Sequence, residues 1–237
     1  MDRHGREGSE TGWDSSSRWF KVNNDFASIN TTDILAVDLN CRLFYLEEKI
    51  AAAYLHTGDT ILSKQFLDIA EKRKKVIQKY CWNEMEGFYF DFDTSNGKQK
   101  NVFSLAAAYP LFFKLAEKEQ AEKIATLIEL HFLHEGGLVS TLQTSGQQWD
   151  SPNGWAPLHW ITIIGLGNYG FTELAETIAK RWIKLGTDVF SRTGKLMEKY
   201  NVVNTLLEAG GGEYPGQDGF GGTKGVLLEL RKKSGYE

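Results

Sequence analysis

Cysteine is almost missing from this chain of 237 residues: only Cys41 and Cys81 occur. Each lies in an apolar helical context, which predicts two buried free thiols rather than a disulfide. No Cys/His spacing resembles a zinc site. Long apolar runs are missing too. None approaches the roughly 20 residues needed to span a bilayer, and the opening MDRHGREG has no hydrophobic segment of a secretory leader. As it stands, the chain reads as soluble and cytoplasmic, with no membrane as partner. Excess positive charge is also lacking: 27 Lys and Arg against 31 Asp and Glu give a net charge of −4. That leaves no basic footprint for nucleic acid. The densest charge run, Glu71 to Lys75, falls within a helical pattern and reads as a solvated helix face. A fixed repeat period is absent, which argues against a regular solenoid.

What is present is a chain that is 41% hydrophobic and 13% aromatic, with seven tryptophans and 24 glycines. That is enough for a sizeable core in one large domain or two small ones. Helical spacing dominates. Asp33 is placed to cap a helix with Leu35, Leu39, Leu43, Leu46 and Ile50 on one face, and Gly58 is its stop. Leu62, Phe66, Ile69, Ala70, Ile77 and Tyr80 mark a second helix. Glu84 to Lys100, with its alternating GFYFDFD and Thr-Ser-Asn-Gly, reads as a loop or short hairpin. Helices are expected again over about 102–116 and 120–133, from near Pro157, and from Thr172 to a stop at Gly186. A last short helix follows a glycine-rich stretch. The fold class expected is all-α: helix pairs joined by unequal loops, as in an α/α toroid with function on one rim.

Four loops break that rhythm and concentrate carboxylates with aromatics: SETGWDSSSRWF (9–20), QQWDSPNGWAPLHW (147–160), GKLMEKYNV (194–202) and the glycine-rich loop around Glu213. Flat aromatic faces stack on sugar rings, and carboxylates accept hydroxyl hydrogen bonds, so this composition points to a carbohydrate site. Two carboxylates flanking a glycosidic bond are the minimum machinery for hydrolysing it.

The segment Gln148 to Pro157, QWDSPNGWAP, resembles a signature of the α,α-trehalases at all ten positions. ETGWDSSSRWF and GGGEYPGQDGFG resemble two further segments of that family, in the same order. The resemblance covers nearly the whole chain but only the C-terminal half of a trehalase, and the family's upstream PGGRF signature is absent. It implies an incomplete (α/α)6 barrel, one catalytic portion spanning 1–237 with no second domain, and a missing N-terminal half as partner. It also implies inverting hydrolysis of trehalose, with Asp14 as general acid and Glu198 as general base. Inverting enzymes hold two such carboxyls about 6.5–9.5 Å apart to admit water. Gly12 and Glu213 match sugar-contacting positions. Trp13, Gln148, Trp149, Asp150 and Trp155 are expected to line the pocket. No metal or cofactor is required.

Each assignment has a rival. Asp14 before three serines fits a helix N-cap, and Asp14 as acid implies a pKa raised by burial beside Trp13 and Trp19. Glu198 between Lys195 and Lys199 fits a surface ion pair. Asp150 in Asp-x-Pro is a turn former. Arg18 and Arg192 are candidates for sugar hydroxyls, with surface pairing favoured for Arg192. His159 reads as a packed histidine, and His131, His134 and Glu135 lack a further metal ligand. Gly222 and Lys224 stand where trehalases have tryptophan and asparagine. The competing functions are a non-hydrolytic remnant that binds sugar or protein, and a related (α/α)6 enzyme acting on another α-glucoside.

Overall fold

Two polar anchors set how the first long helices roll. A computed structural model describes residues 3–22, 25–209 and 216–233, so Glu213 lies outside the described residues. After α1 (Arg3–Glu10), helix α2 (Val37–His56) pairs with α3 (Thr60–Val76). The face of α2 that goes inward is Val37, Asp38, Cys41, Phe44 and Glu47, whereas Leu39 and Leu46 of the expected stripe are 48% and 51% exposed. The reason is that Asp38 bonds Arg18 and Trp13, while Glu47 takes Arg73 of α3 in contacts of 2.6–3.0 Å. Arg73, alone in the basic run, therefore crosses to a neighbouring helix. Asp33 caps nothing on α2; its N-cap is Ala36, without a side-chain bond, and Gly58 ends the helix as expected, at φ 87°. Asp59 caps α3 by accepting from the Leu62 amide.

The stretch expected to be helical over 102–116 is only partly so. A 3₁₀ segment Leu105–Ala108 leads into the single turn α4 (Tyr109–Phe112), with Pro110 in its first turn. Ser104 is diverted into a bridge with Thr141, which delays the helix start. Helix α5 (Lys118–Leu127) opens with a capping box between Glu117 and Gln120. Helices α6 (Ala156–Asn168) and α7 (Thr172–Thr193) form the next hairpin, and α8 (Gly221–Lys233) packs on both. Gly186 does not stop α7. It makes room for Leu227 of α8, which would lie 2.8 Å from an added Cβ, and the helix ends at Gly194. Cys41 and Cys81 sit in the core as free thiols.

Short antiparallel strands add to the helices. Helices α3 and α5 both run into a π-turn (Ile77–Cys81 and Ile128–Phe132) followed by a two-residue hairpin. A three-stranded sheet joins 34–35, 92–93 and 98–99. Among the described residues the helix pairs do not close into a barrel. The loops that leave α3, α5 and α7 carry Asp91, Gln148 with Asp150, and Glu198. They gather on one rim beside the Gly12–Trp19 loop.

Candidate active site

The Gly12–Trp19 loop turns through two left-handed residues, Gly12 at φ 79° and Asp14 at φ 35°. Open space surrounds the position of a Cβ on Gly12, so backbone conformation rather than crowding calls for glycine there. Asp14 tolerates this region better than most side chains, at a cost of order 1 kcal/mol. The cap role belongs to Ser16, whose oxygen accepts from the Arg18 amide, so Asp14 is not an N-cap.

Below this loop Arg18 is fully buried, and its role is internal. Nε and Nη2 donate to Asp91 at 2.5 and 2.7 Å, Nη1 and Nη2 to Asp38 at 3.1 and 2.6 Å. Its guanidinium lies between the rings of Trp13 and Trp19, at 4.6 and 4.4 Å. Trp13 Nε1 donates to Asp38, and the Val37 amide to Asp91. Burial alone pushes Asp38 upward, but the adjacent Arg18 outweighs it and holds the carboxyl below its usual range. Four of the five Arg18 donor hydrogens are thus committed to carboxylates, not to sugar. Arg192 is exposed and donates to the Thr205 carbonyl.

The QQWDSPNGWAPLHW turn closes over this floor. Asp150 accepts from Ser16 Oγ, the Ser17 amide and Thr141 Oγ1, each at 2.8 Å, and from Ser145 Oγ. Trp149 and Trp155 stack face to face at 3.9 Å, and Trp13 leans on Trp149 at 5.3 Å. Trp155 Nε1 donates to the Gln148 carbonyl. None of the three indole residues is more than 6% exposed, so the aromatics expected as open platforms are mainly each other's partners. Strand 153–155 pairs with 199–201, matching Trp155 to Lys199, and so draws Glu198 to the turn.

Glu198 is 4% exposed. Its amide donates to Gln217, and its Oε2 lies 3.0 Å from Lys199 Nζ. The ion pair foreseen at a surface is therefore buried; Lys195 is the lysine that pairs outside, with Asp218. Lys199 Nζ also donates to Gln148 Oε1 at 3.2 Å, and Gln148 Nε2 donates to Asp14 Oδ2 at 3.4 Å. Asp14, Gln148, Lys199 and Glu198 form one connected line. Lys199, Asp38 and Asp91 were not singled out by the sequence patterns. The signal for Asp38 was a charged residue on a helix's buried face and for Asp91 one inside an aromatic run, whereas Lys199, on a strand, had no such signal. A cavity of about 650 Å³ between α7 and α8, lined by Phe190, Leu196, Phe220 and Leu227, holds neither Asp14 nor Glu198. Gly222 is exposed at the start of α8, with Phe220 3.8 Å from an added Cβ.

His159 is structural. It stacks on Trp182 at 3.8 Å, and Nε2 accepts from the Leu138 amide, so the proton sits on Nδ1 and is donated to the Trp155 carbonyl. Burial pushes it down to about 3. Unfolded histidine protonates near 6.5 while the folded residue stays neutral, so stability is lost as pH falls below that value. The slope approaches about 1.4 kcal/mol per pH unit. Urea midpoints at pH 7, 6 and 5 are expected to fall steadily; a flat series refutes the assignment. Among the described residues no helix is long and apolar enough to cross a membrane, and no three metal-ligating side chains cluster.

Solved structures place this arrangement in a class. The chain superimposes on neutral trehalase of Saccharomyces cerevisiae with a TM-score of 0.80 and 27% identity, over 97% of this chain and 42% of that one. A mannosylglycerate hydrolase from Thermus thermophilus shares the fold, with a TM-score of 0.65 at 20% identity, over 84% of this chain and 45% of that one. The fold is thus that of the α/α toroids. Within it, the family description Trehalase matches residues 2–235, and the chain belongs to the trehalase family. Periplasmic trehalases of Escherichia coli O8 and Salmonella agona are each 43% identical over 225 residues, which is 95% of this chain and 40% of theirs. The chain therefore spans about two fifths of the length of these relatives.

Proposed function

We propose that this chain carries the hydrolytic pair of an α,α-trehalase, as the C-terminal portion of one catalytic domain. The observation that supports it best is the Gln148 amide, which reaches both Asp14 and the Lys199–Glu198 pair and so ties two distant segments into one site. Asp14 gives its proton to the bridging oxygen as the glycosidic bond breaks. Glu198 takes a proton from the water that attacks the opposite face. One trehalose and one water become two glucose molecules, and one anomeric carbon inverts. Gly12 and Glu213 are assigned to sugar contact, as is the amide edge of Gln148.

Asp150 is assigned to clamping the acid loop, since four donors occupy its two oxygens and leave no lone pair for a sugar. Trp13, Trp149 and Trp155 form the wall behind the carboxylates. The outward leucines of α2 are assigned to packing against further chain of a trehalase-length protein. A reading frame upstream of Met1 encoding that segment supports this; an in-frame stop directly before it removes the assignment. The relatives are periplasmic by name, while two buried free thiols suit a reducing cytoplasm, which we favour. Osmotic-shock fractionation decides, and activity in the periplasmic extract overturns that placement.

The test is proton NMR of trehalose incubated with the purified chain. Equal initial amounts of α- and β-glucose are expected, because one α-linked centre inverts and the other is untouched. Glucose released only as the α-anomer refutes inversion, and no glucose at high protein concentration refutes autonomous hydrolysis.

A further inference from the structure

Lys199 is the least expected member of the site. Its side chain is fully buried, although an ammonium is a strongly hydrated cation that costs several kcal/mol to hide without replacement partners. Around it stand Glu198 Oε2 at 3.0 Å, Gln148 Oε1 at 3.2 Å and the Trp155 ring, 5.5 Å from Nζ to its centroid. The buried charge is thus held between the Glu198 carboxylate and the Gln148 amide oxygen.

The Gln148 bonds also have a direction. An ammonium only donates, so the amide must turn its oxygen to Lys199, which points its Nε2 at Asp14 Oδ2. An N–H aimed at Oδ2 disfavours a proton on that same oxygen. A protonated Asp14 is thereby biased to carry its proton on Oδ1. The backbone around Glu198 is pinned as well: its amide bonds Gln217, and Thr223 Oγ1 donates to its carbonyl at 3.4 Å.

Resting on the assignment of Asp14 and Glu198 above, we propose that Lys199 is a positioning residue for both halves of the hydrolysis. It orients the Glu198 carboxylate through the 3.0 Å contact. Through the fixed Gln148 amide it also selects the Asp14 oxygen that delivers the proton. Among the described residues, the groups around Glu198 include Lys199 on its carboxylate, Gln148 beyond that lysine with Asp14 behind it, and Thr223 of α8 on its backbone carbonyl.

Two variants test this: Lys199→Met, which keeps the apolar stem, and Lys199→Arg, which keeps the charge. Lys199→Met is expected to lower kcat for trehalose about 100-fold, as small misplacements do, with KM little changed. The acid limb of its pH–rate profile moves to higher pH, and Lys199→Arg recovers part of the loss and restores the limb. A lysine with a merely structural role lowers the melting temperature but leaves the limb where it was. Crystal structures of the wild type and both variants give a readout free of turnover. The Glu198 carboxylate is expected to swing away from Gln148 in Lys199→Met and to hold its place in Lys199→Arg. An unmoved carboxylate in Lys199→Met overturns the proposal, as does an unmoved acid limb. If the wild-type chain releases no glucose, the hydrolytic assignment falls, while the crystal structures still decide whether Lys199 positions Glu198.

Discussion

Arg18→Met is expected to lower stability at pH 7 by about 3–5 kcal/mol, the range for removing one partner of a buried ion network. For a chain of this size each kcal/mol shifts Tm by roughly 2–4 °C, so the loss is about 6–20 °C. The cause is not the lost attraction alone. Asp38 and Asp91 stay behind, 3% and 4% exposed, as two carboxylates without the cation that separated them. The sign of the pH dependence identifies the mechanism. In the wild type burial raises Asp38 but Arg18 depresses it further than that, so its contribution is present at neutral pH and lost as pH falls through the carboxylate range. In the variant Asp38 keeps the burial that raises it and loses the Arg18 charge that lowered it, so acidification from pH 7 to 5 is expected to narrow the gap between the two proteins. Melting by circular dichroism at both pH values checks this. A gap that stays constant or widens on acidification contradicts the account.

Asp14→Asn and Glu198→Gln are each expected to reduce trehalose turnover by about 10²–10⁴-fold, the usual contribution of a general acid or base. An amide at position 14 has no proton of suitable acidity to give, and an amide at position 198 has no basic oxygen to receive one. Because both act in one transition state, the double variant is expected to fall well short of the product of the single losses. The two differ in stability. Asp14→Asn keeps an acceptor for the Gln148 amide and leaves Tm nearly unchanged. Glu198→Gln removes the carboxylate 3.0 Å from buried Lys199 and lowers Tm measurably. Glucose release by a coupled assay reads the first effect and thermal melting the second. Either single variant retaining wild-type turnover removes that residue from the catalytic pair.

The helices were legible because apolar residues recur at helical spacing, and the amphipathic α7 shows this most clearly. Its stop was misplaced because a glycine inside a helix can serve a neighbour, here Leu227, as well as an end. The roll of α2 was illegible for a similar reason. Its leucines form one credible apolar face, but Asp38 and Glu47 are committed across the fold to Arg18 and Arg73, and those bonds override the pattern. At the site, the segments bearing Asp14, Gln148 and Glu198 stood out through their aromatic and acidic loops. Lys199 did not, because a lysine beside a glutamate looks the same in sequence whether the pair is wet or buried. The tryptophans showed the same ambiguity: composition marks them as flat and large, and only packing reveals that they stack on one another.

The one-rim arrangement has a practical consequence for engineering the molecule. Helices α3 and α7 end beside the site, so their starts lie a full helix length away. At 1.5 Å per residue, the 17 residues of α3 and 22 of α7 put the turns at Gly58 and Gly170 about 25 and 33 Å from that rim. Both turns are short, exposed and connect packed hairpins. Fluorophores, affinity tags or a split point belong there, where the chain can be handled without reaching the carboxylates.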